Sequence, residues 1–424
     1  MPLLLSLISV VFSYLSPAEL FPSLAPYHMQ QVILFPAVAA TLASMAMRAA
    51  GLRLPQDVLM IGLWFAVCMS SLSRFMLRDT WYGFLAFALP VCIYFLVAAN
   101  GFTVERIRLI SAVLSLTAIV IAVQGMLAYH TGLDAHNLIH ESMVEDFRLI
   151  RRIRGYGILN DPNDLAQFLL VGLALLGQFW NKENRLGSIG LLAIPGGILL
   201  YGIFLTGSRG AIFGLAMIVV VVASARLGGL QSMVVGVVLL LIMVAAQFGG
   251  GRAMSMREGS AAGRITAWGA GIVMLKARPL FGIGFGQFGE RYSDMTAHNS
   301  FVLCFAELGF FGYFFWLALI LTTVWGLQRL VKISGDAPAD RKGQRSVSAI
   351  RAALFGFVAT AWFLSRTYSP TLFTLLALAT ALIHLRQKEN PKLALVPQRW
   401  IPVTIACQFA SVILIYATIR VRGL

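Results

Sequence analysis

Three residues in polar stretches between apolar segments, Arg209, Arg264 and His298, have the side chains best suited to chemistry. An arginine guanidinium is permanently charged, and its planar fork of donors binds two oxygens of a phosphate or carboxylate at once. A neutral histidine can accept a proton from a hydroxyl group near neutral pH. Together they predict a site that binds an anionic group and activates an attacking hydroxyl.

Arg209 lies in the short stretch Thr206-Gly-Ser-Arg-Gly-Ala211, between two apolar runs. We expect a helix to begin here, and the unsatisfied N–H groups and positive dipole end of a helix attract anions. Arg209, the glycine backbone and Ser208 are therefore predicted to bind an anionic substrate group. The alternative is a tight turn whose arginine only extends towards the membrane surface.

Arg264 lies at the start of a segment that we predict to be an amphipathic helix ending before Pro279. Its apolar residues recur at intervals of three and four, at Ile265, Trp268, Ile272 and Leu275. Such a helix lies at the membrane interface, where tryptophan is a typical residue. Because Arg264 and Trp268 are one turn apart, the indole can pack on the guanidinium and orient it. The alternative is an interfacial helix with an incidental arginine.

A glycine-rich stretch, Phe281-Gly-Ile-Gly-Phe-Gly286, follows Pro279. It lacks the strand and helix that flank a dinucleotide-binding glycine loop, so that function is excluded. It predicts either a sharp turn or a nest of backbone N–H groups.

His298 belongs to the stretch Thr296-Ala-His-Asn-Ser300, which leads into an apolar run beginning at 299. The positive end of a helix and the nearby arginines favour the neutral imidazole, the form that a general base requires. The alternative is a histidine that only caps the helix.

A further polar stretch, Arg154-Gly-Tyr-Gly-Ile-Leu-Asn-Asp-Pro-Asn-Asp164, runs directly into an apolar segment near Leu165. Its last residues are typical of a helix N-cap, which is the leading interpretation. In the functional alternative, Asn163 or Asp164 binds sugar hydroxyls, and Arg154 contributes to substrate binding.

His136 and His140 have a spacing that a zinc ion could use. The acidic and cysteine pattern that would complete such a site is missing. The cysteines of the chain, 4 in all, lie in apolar runs and are typical of small buried hydrophobic residues. We therefore predict no metal site.

The elements that must position these residues are membrane helices. Of the 424 residues, 58% are hydrophobic and 12% are charged, and the mean hydropathy is +0.80, which excludes a water-soluble fold. We predict an all-α polytopic membrane protein with about 12–13 spans. The first apolar segment is expected to be a retained span and not a signal peptide. The predicted helices lie near 3–20, 30–48, 57–74, 83–99, 107–127, 163–180, 187–205, 211–226, 230–248, 299–325, 349–365, 371–385 and 401–419.

The loop charges predict that the N-terminus is cytoplasmic, because this orientation puts most basic loops inside. The cytoplasmic basic residues are then Arg48, Arg53, Arg106, Arg108, Lys182, Arg185, Arg226, Arg329, Lys332, Arg341, Lys342, Arg345, Arg386, Lys388, Lys392 and Arg399. The outer loops 128–162 and 249–298 nevertheless hold Arg148, Arg151, Arg152, Arg154, Arg252, Arg257, Arg264, Arg278 and Arg291, with Lys276 as their one lysine.

This excess of outer arginines favours a phosphate-binding function on that side. The alternative is that long translocated loops escape the charge rule. The net charge of +15 lies in loops between apolar segments, so we expect membrane lipids as partners and no nucleic acid.

In chain order, these motifs resemble those of the O-antigen ligase/polymerase family. The resemblance covers about 154–325 and rests on Asn-Asp-Pro-Asn163, Gly-Ser-Arg-Gly210, Arg-Ile-x-x-Trp268, Pro-Leu-Phe-Gly-Ile-Gly284, His-Asn-Ser300 and Glu-Leu-Gly-Phe-Phe-Gly312. It implies a GT-C-like membrane glycosyltransferase of the bacterial inner membrane. Such enzymes transfer a glycan from undecaprenyl pyrophosphate in the periplasm, without a nucleotide sugar, a required metal or another cofactor.

The resemblance also implies roles for single residues. Arg209 and Arg264 correspond to pyrophosphate-binding arginines of the family, and His298 corresponds to its essential histidine. We expect His298 to activate the acceptor hydroxyl in an inverting transfer, while Trp268 and Asn299 organise the pocket.

The acceptor remains open between lipid A core, for an O-antigen ligase of lipopolysaccharide biosynthesis, and another glycan, for an O-antigen or exopolysaccharide polymerase. The outer arginines favour the ligase, because a phosphate-rich core would suit them. A lipid-linked glycan flippase, a different class, would need its arginines along the spans.

The expected organisation has four parts. N-terminal helices occupy 1–127 and a periplasmic loop 128–162. A ligase-like core occupies 163–325 with its catalytic loop at 249–298, and C-terminal helices occupy 326–424.

Overall fold

The computed structural model describes residues 1–143, 149–245, 259–292, 295–333 and 341–421. Of the predicted outer arginines, Arg148, Arg252 and Arg257 lie outside these residues, as does the first part of the predicted catalytic loop. The fold is all-α and polytopic. Each segment predicted as a helix contains an α-helix among the described residues. The first predicted segment, 3–20, is interrupted at Ser16, and the helix predicted at 349–365 ends at Ala361. Residues 246–248 of the segment predicted at 230–248 lie outside the described residues.

The helices are α1 (Pro2–Leu15), α2 (Pro17–Leu20), α3 (Met29–Met47), α4 (Gln56–Leu72), α5 (Leu77–Asn100), α6 (Val104–Thr131), α7 (Ala135–Leu138), α8 (Pro162–Leu176), α9 (Arg185–Leu205), α10 (Arg209–Leu227), α11 (Gly229–Ala245), α12 (Gly259–Ala277), α13 (Phe288–Arg291), α14 (Ser300–Ile333), α15 (Arg341–Ala361), α16 (Pro370–Glu389) and α17 (Trp400–Val421). Within the described residues, 6 helices are long and apolar enough to cross a membrane, namely α3, α5, α6, α9, α14 and α17. Helices α1, α4, α10 and α11 are apolar but shorter. A total of 12–13 spans stays a prediction.

The chain folds into two compact units. The first comprises Met1–Ala50, Leu96–Ala253 and Leu330–Thr360, and the second comprises Gly51–Phe95, Met254–Arg329 and Ala361–Leu424. Arg209 belongs to the first unit, whereas Arg264 and His298 belong to the second.

In the first unit, α6 packs closely on α8 through small residues. A Cβ on Gly172 would lie 2.6 Å from the Cβ of Ala118, so only glycine permits this approach. The hydroxyl of Ser115 donates to the Gly172 carbonyl at 3.0 Å. Helix α8 begins as its sequence predicts, since Asp161 caps it by accepting from the Asn163 backbone N–H at 2.8 Å.

The first unit also contains a hairpin in the segment that we predicted as a loop. Strand β1 (Ile139–Met143) pairs antiparallel with β2 (Leu149–Ile153). Each strand has only 5 residues, which is too short for the alternation of polar and apolar residues to stand out in the sequence.

In the second unit, a buried carboxylate connects α4 to its neighbours. Asp57 accepts from Arg53 at 2.9 Å and from the Tyr94 hydroxyl of α5 at 3.0 Å. The same hydroxyl lies 3.3 Å from the Thr380 hydroxyl of α16. A buried charge needs such partners, so this network holds the three helices together.

Candidate active site

His298 lies at the entrance to α14 in a left-handed backbone conformation, with φ at 50°. This conformation costs a residue with a side chain about 1–2 kcal/mol, so surrounding contacts must hold it. The side-chain carbonyl of Asn299 caps α14 by accepting from the N–H groups of Phe301 at 2.9 Å and Val302 at 3.1 Å. The capping role therefore belongs to Asn299, and His298 keeps a half-buried imidazole just outside the helix.

Asn299 also has a side-chain nitrogen available for a ligand. The residue is fully buried, and its Nδ2 atom finds no hydrogen-bond partner within the part of the chain that the structure describes. A buried amide without an acceptor is costly, so an incoming polar group would be favoured there. This observation supports the predicted role of Asn299 in the pocket.

The loop between α15 and α16, residues 362–369, braces the start of α14. The Ser300 hydroxyl donates to the Leu364 carbonyl at 2.6 Å and accepts from the Arg366 backbone N–H at 2.8 Å. The Thr367 hydroxyl donates to the Ser300 carbonyl at 2.7 Å. The backbone of Arg366 is thereby held against Ser300, two residues after His298.

The glycine-rich stretch forms a sharp turn that pairs with a break in α14. Gly309 has a φ of 63° and interrupts the helix. The N–H groups of Ile283 and Gly284 donate to the carbonyls of Ala306 and Glu307, each at 3.0 Å, and the Phe310 N–H donates to the Pro279 carbonyl at 2.8 Å. At the break, carbonyl and N–H groups of α14 are open to partners from outside the helix, and the turn supplies those partners.

Glu307 of α14 also forms hydrogen bonds beside the turn. Its carboxylate accepts from the backbone N–H of Phe288 at 3.1 Å and from the Tyr368 hydroxyl at 2.8 Å. The Phe285 N–H of the turn donates to the Ser70 hydroxyl at 3.0 Å. These N–H groups of the turn therefore donate to groups within the protein. This supports the prediction of a sharp turn over the prediction of a nest of N–H groups that binds an anion.

We expect Gly309→Ala to destabilise the protein strongly. A Cβ at this residue would lie 2.4 Å from the Leu280 carbonyl oxygen, and the left-handed φ alone costs a side chain on the order of 1–3 kcal/mol. The thermal unfolding midpoint of the purified protein in detergent should fall by several degrees. Gly190→Ala, in open space within α9, is the matched control and should leave the midpoint unchanged or raise it slightly. Equal unfolding midpoints for the two variants would contradict the close packing of Gly309 against the turn.

Helix α12 carries Arg264 and Trp268 as the sequence predicts, and it ends at Ala277 before Pro279. The side chains of Ile265, Trp268, Ile272 and Leu275 are all buried, which confirms the amphipathic pattern. The Trp268 ring packs edge-on against Trp362 of the bracing loop, with centroids 6.0 Å apart. Its Nε1 atom is buried without a hydrogen-bond partner in the described residues, so it can donate to a ligand.

In the first unit, Arg209 is the first residue of α10, and Ser208 occupies the N-cap. Ser208 is only 2% exposed, yet its hydroxyl does not cap the helix and has no hydrogen-bond partner in the described residues. Helix N-termini of this kind attract anions through their uncapped N–H groups. The geometry supports the predicted anion site at Arg209.

Arg152 is the residue that joins the predicted site residues of this unit. Its Nε atom donates to the Thr206 carbonyl at 2.6 Å, and its Nη2 atom donates to the Asn163 side chain at 3.1 Å. The Arg152 side chain is buried, whereas the neighbouring Arg151 is exposed and forms an ion pair with Glu141 at 3.3 Å. The hairpin thus fixes the turn that precedes Arg209.

Arg154, the residue that we predicted to bind substrate, donates to the backbone carbonyls of Asn137 at 2.8 Å and His136 at 3.2 Å. These bonds close the base of the hairpin, and its role in substrate binding stays a prediction. Arg152 was missed because its signal is the short alternation along β2. Arg152 differs from Arg151 only in lying on the inward side of the strand.

His140 is the cross-strand partner of Arg152 in the hairpin. Burial, and then the charge of Arg152, lower the pKa of its imidazole below the ordinary value. The neutral form is therefore favoured at neutral pH. Among the described residues, no group of three His, Cys, Asp or Glu side chains is arranged to hold a metal ion.

Residues 195–317 match the model of a protein family described as O-antigen ligase. This segment is similar to an O-antigen ligase domain. This match agrees with the resemblance to the O-antigen ligase/polymerase family that the motifs of the chain carry. The matched segment begins within α9, ends within α14 and contains Arg209, Arg264 and His298. No curated protein matches the chain.

Proposed function

We propose that this protein is a membrane glycosyltransferase that moves a glycan from undecaprenyl pyrophosphate to an acceptor hydroxyl on the periplasmic side of the inner membrane. The observation that carries the proposal is that the matched segment, 195–317, contains both candidate arginines and the candidate histidine. Family members in general act on lipid-linked glycans and acceptors.

In this proposal, Arg209 and Arg264 bind the diphosphate of the donor. As the bond from the sugar to the diphosphate breaks, negative charge grows on the leaving group. Fixed guanidinium groups stabilise that charge without reorganising. The uncapped start of α10 and the buried Ser208 hydroxyl support an anion site at Arg209.

His298 is the proposed general base. It takes the proton of the acceptor hydroxyl as that oxygen attacks the anomeric carbon, and one in-line displacement inverts the anomeric configuration. The cap of Asn299 and the bonds of Ser300 hold the backbone that directly follows His298. Trp268 and Asn299, with buried nitrogen atoms that lack partners among the described residues, bind sugar or phosphate oxygens.

The ligase is the favoured form of this activity, with lipid A core as the acceptor. The described outer segments include Arg291, which is exposed and suits a phosphate-rich acceptor. A polymerase acting on the same donor is the second candidate.

The test is a transfer assay with purified protein, a lipid-linked glycan, and either lipid A core or a second lipid-linked glycan as acceptor. The proposal predicts a glycosylated lipid A core. A longer glycan on the lipid would indicate the polymerase. Translocation in vesicles without any new glycosidic bond would indicate a flippase and contradict the proposal.

We expect Arg152→Ala to impair transfer although Arg152 itself does not belong to the predicted catalytic trio. Losing its bonds to Thr206 and Asn163 frees the turn before Arg209, and a misplacement of about 1 Å at a binding group costs on the order of a hundredfold in rate. The kcat/KM for the donor should fall by about tenfold to a hundredfold. Arg151→Ala, one residue away on the exposed side, should retain nearly full activity.

The kinetic comparison needs a check on folding. Thermal unfolding in detergent should show that Arg152→Ala is folded at the assay temperature. Arg152→Lys keeps the charge but cannot make both bonds, so we expect it to behave like the alanine variant. Equal kcat/KM values for the Arg151 and Arg152 variants would remove Arg152 from the site.

A further inference from the structure

A groove runs between α12 and α17 in the second unit. It consists of two adjoining cavities of about 320 Å³ and 410 Å³, which share Ile272, Lys276 and Tyr416 in their walls. The smaller cavity is otherwise lined by apolar residues and proline, and it reaches Phe310 beside the break in α14. Its apolar lining suits a hydrocarbon chain.

Helix α12 has one face that packs against the protein and another that lines the groove. Trp268 and Gly271 face the protein, since Trp268 packs on Trp362 and a Cβ on Gly271 would lie 2.4 Å from Val302. Ile265 and Gly269 instead line the groove. Because Ile265 directly follows Arg264, the groove begins beside the proposed diphosphate-binding residue.

The charged residues of the groove are cationic. The Lys276 ammonium lies 5.3 Å and the Arg420 guanidinium 5.4 Å from the centre of the Tyr416 ring, and Arg420 also donates to the Tyr416 hydroxyl at 2.9 Å. Among the described residues that line the two cavities, none is acidic. The groove therefore complements a lipid whose headgroup is anionic.

We propose that this groove binds the apolar chain of the phosphate-bearing donor lipid, with the headgroup at the end formed by Ile265 and Arg420 and the chain directed towards Pro279 and Phe310. The proposal rests on the proposed function for the identity of the lipid. It assigns substrate binding to α17, which lies outside the matched segment 195–317. The apolar stem of Lys276 packs along the chain while its ammonium reaches the polar end.

Gly269 offers a direct test, because a Cβ at this residue would meet nothing within 4 Å. Gly269→Leu therefore fills the groove without displacing the backbone, and leucine also favours the helix. The assay compares two donors that carry the same glycan diphosphate on a long or a short isoprenoid chain. Gly197→Leu, at an exposed glycine of α9 with equally open surroundings, is the matched control.

We expect Gly269→Leu to raise the KM for the long-chain donor by about tenfold, since it displaces roughly two methylene groups of the chain. The kcat and the KM for the short-chain donor should stay close to those of the wild type. Gly197→Leu should change neither KM. An unchanged KM for both donors in Gly269→Leu would overturn the proposal and leave the groove to bulk membrane lipid. An equal rise for both donors would also overturn it, because the effect would then act on the headgroup site.

Failure of the proposed function is distinguishable from failure of this inference. If the wild-type protein transfers from neither donor, the proposed function is wrong. Binding of a long-chain isoprenoid diphosphate without glycan, measured directly on the wild type and Gly269→Leu, then tests the groove alone. Weaker binding to Gly269→Leu supports the groove, and equal binding refutes it.

Discussion

His298→Ala should abolish glycan transfer while leaving binding of the donor lipid largely intact. The imidazole is the proposed acceptor of the hydroxyl proton, and general base catalysis contributes about 10²–10⁴ to the rate. The kcat should fall by that factor with little change in the Kd for the donor. Single-turnover transfer and direct binding of the lipid diphosphate are the two measurements.

A second histidine provides a matched control for this prediction. His28 also has a left-handed backbone, with φ at 45°, and it directly precedes α3. His28→Ala removes the same kind of side chain from the same kind of helix entrance, yet it should transfer glycan at the wild-type rate. Equal turnover in His298→Ala and wild type would remove His298 from the mechanism.

Arg264→Lys should impair transfer almost as severely as Arg264→Ala. Lysine keeps a positive charge, but a point charge cannot replace the two parallel hydrogen bonds of a guanidinium to a diphosphate. Loss of one donor to the developing charge costs on the order of 10²–10³ in kcat. Steady-state kinetics with the lipid-linked donor would measure this effect in both variants.

Arg278→Lys is the control for the arginine prediction. Arg278 follows α12 directly and is exposed, so the exchange changes the same side chain nearby without entering the proposed site. It should leave kcat/KM within about twofold of the wild type. Full activity in Arg264→Lys would show that no bidentate contact is made there, and the proposed clamp would be wrong.

The helices could be predicted from the sequence because their signals are local. Apolar runs mark the long helices, Asp161 and Pro162 mark the start of α8, and Pro279 follows the end of α12. The placement of Arg209 at the first residue of a helix follows from the same kind of signal. These features depend on residues that are close together in the chain.

Features that depend on distant contacts could not be predicted in this way. The apolar run after 299 reads as one helix, but Gly309 breaks it because the turn around Gly282 approaches its backbone too closely for a Cβ. Ser300 is braced by residues more than 60 positions later in the chain. Arg152 reaches Thr206 across 54 residues. No local sequence pattern predicts such contacts.

The cap of α14 bears on the two interpretations of His298. From the sequence, His298 was equally a general base or a helix cap. The structure assigns the cap to Asn299, so the imidazole is not needed to begin the helix. Its catalytic role stays a proposal, as does the meeting of Arg209 with Arg264 and His298 on one substrate.

The stereochemistry of transfer tests the central claim most directly. The anomeric configuration of the sugar, determined by NMR in the lipid-linked donor and in the purified product, reports how the bond was exchanged. A single attack by a hydroxyl activated at His298, with the diphosphate leaving from the opposite face, predicts inversion and release of one lipid diphosphate per glycan transferred. Retention of configuration would contradict the account, because it requires either two successive displacements or attack from the face of the leaving diphosphate, and neither is a single in-line displacement.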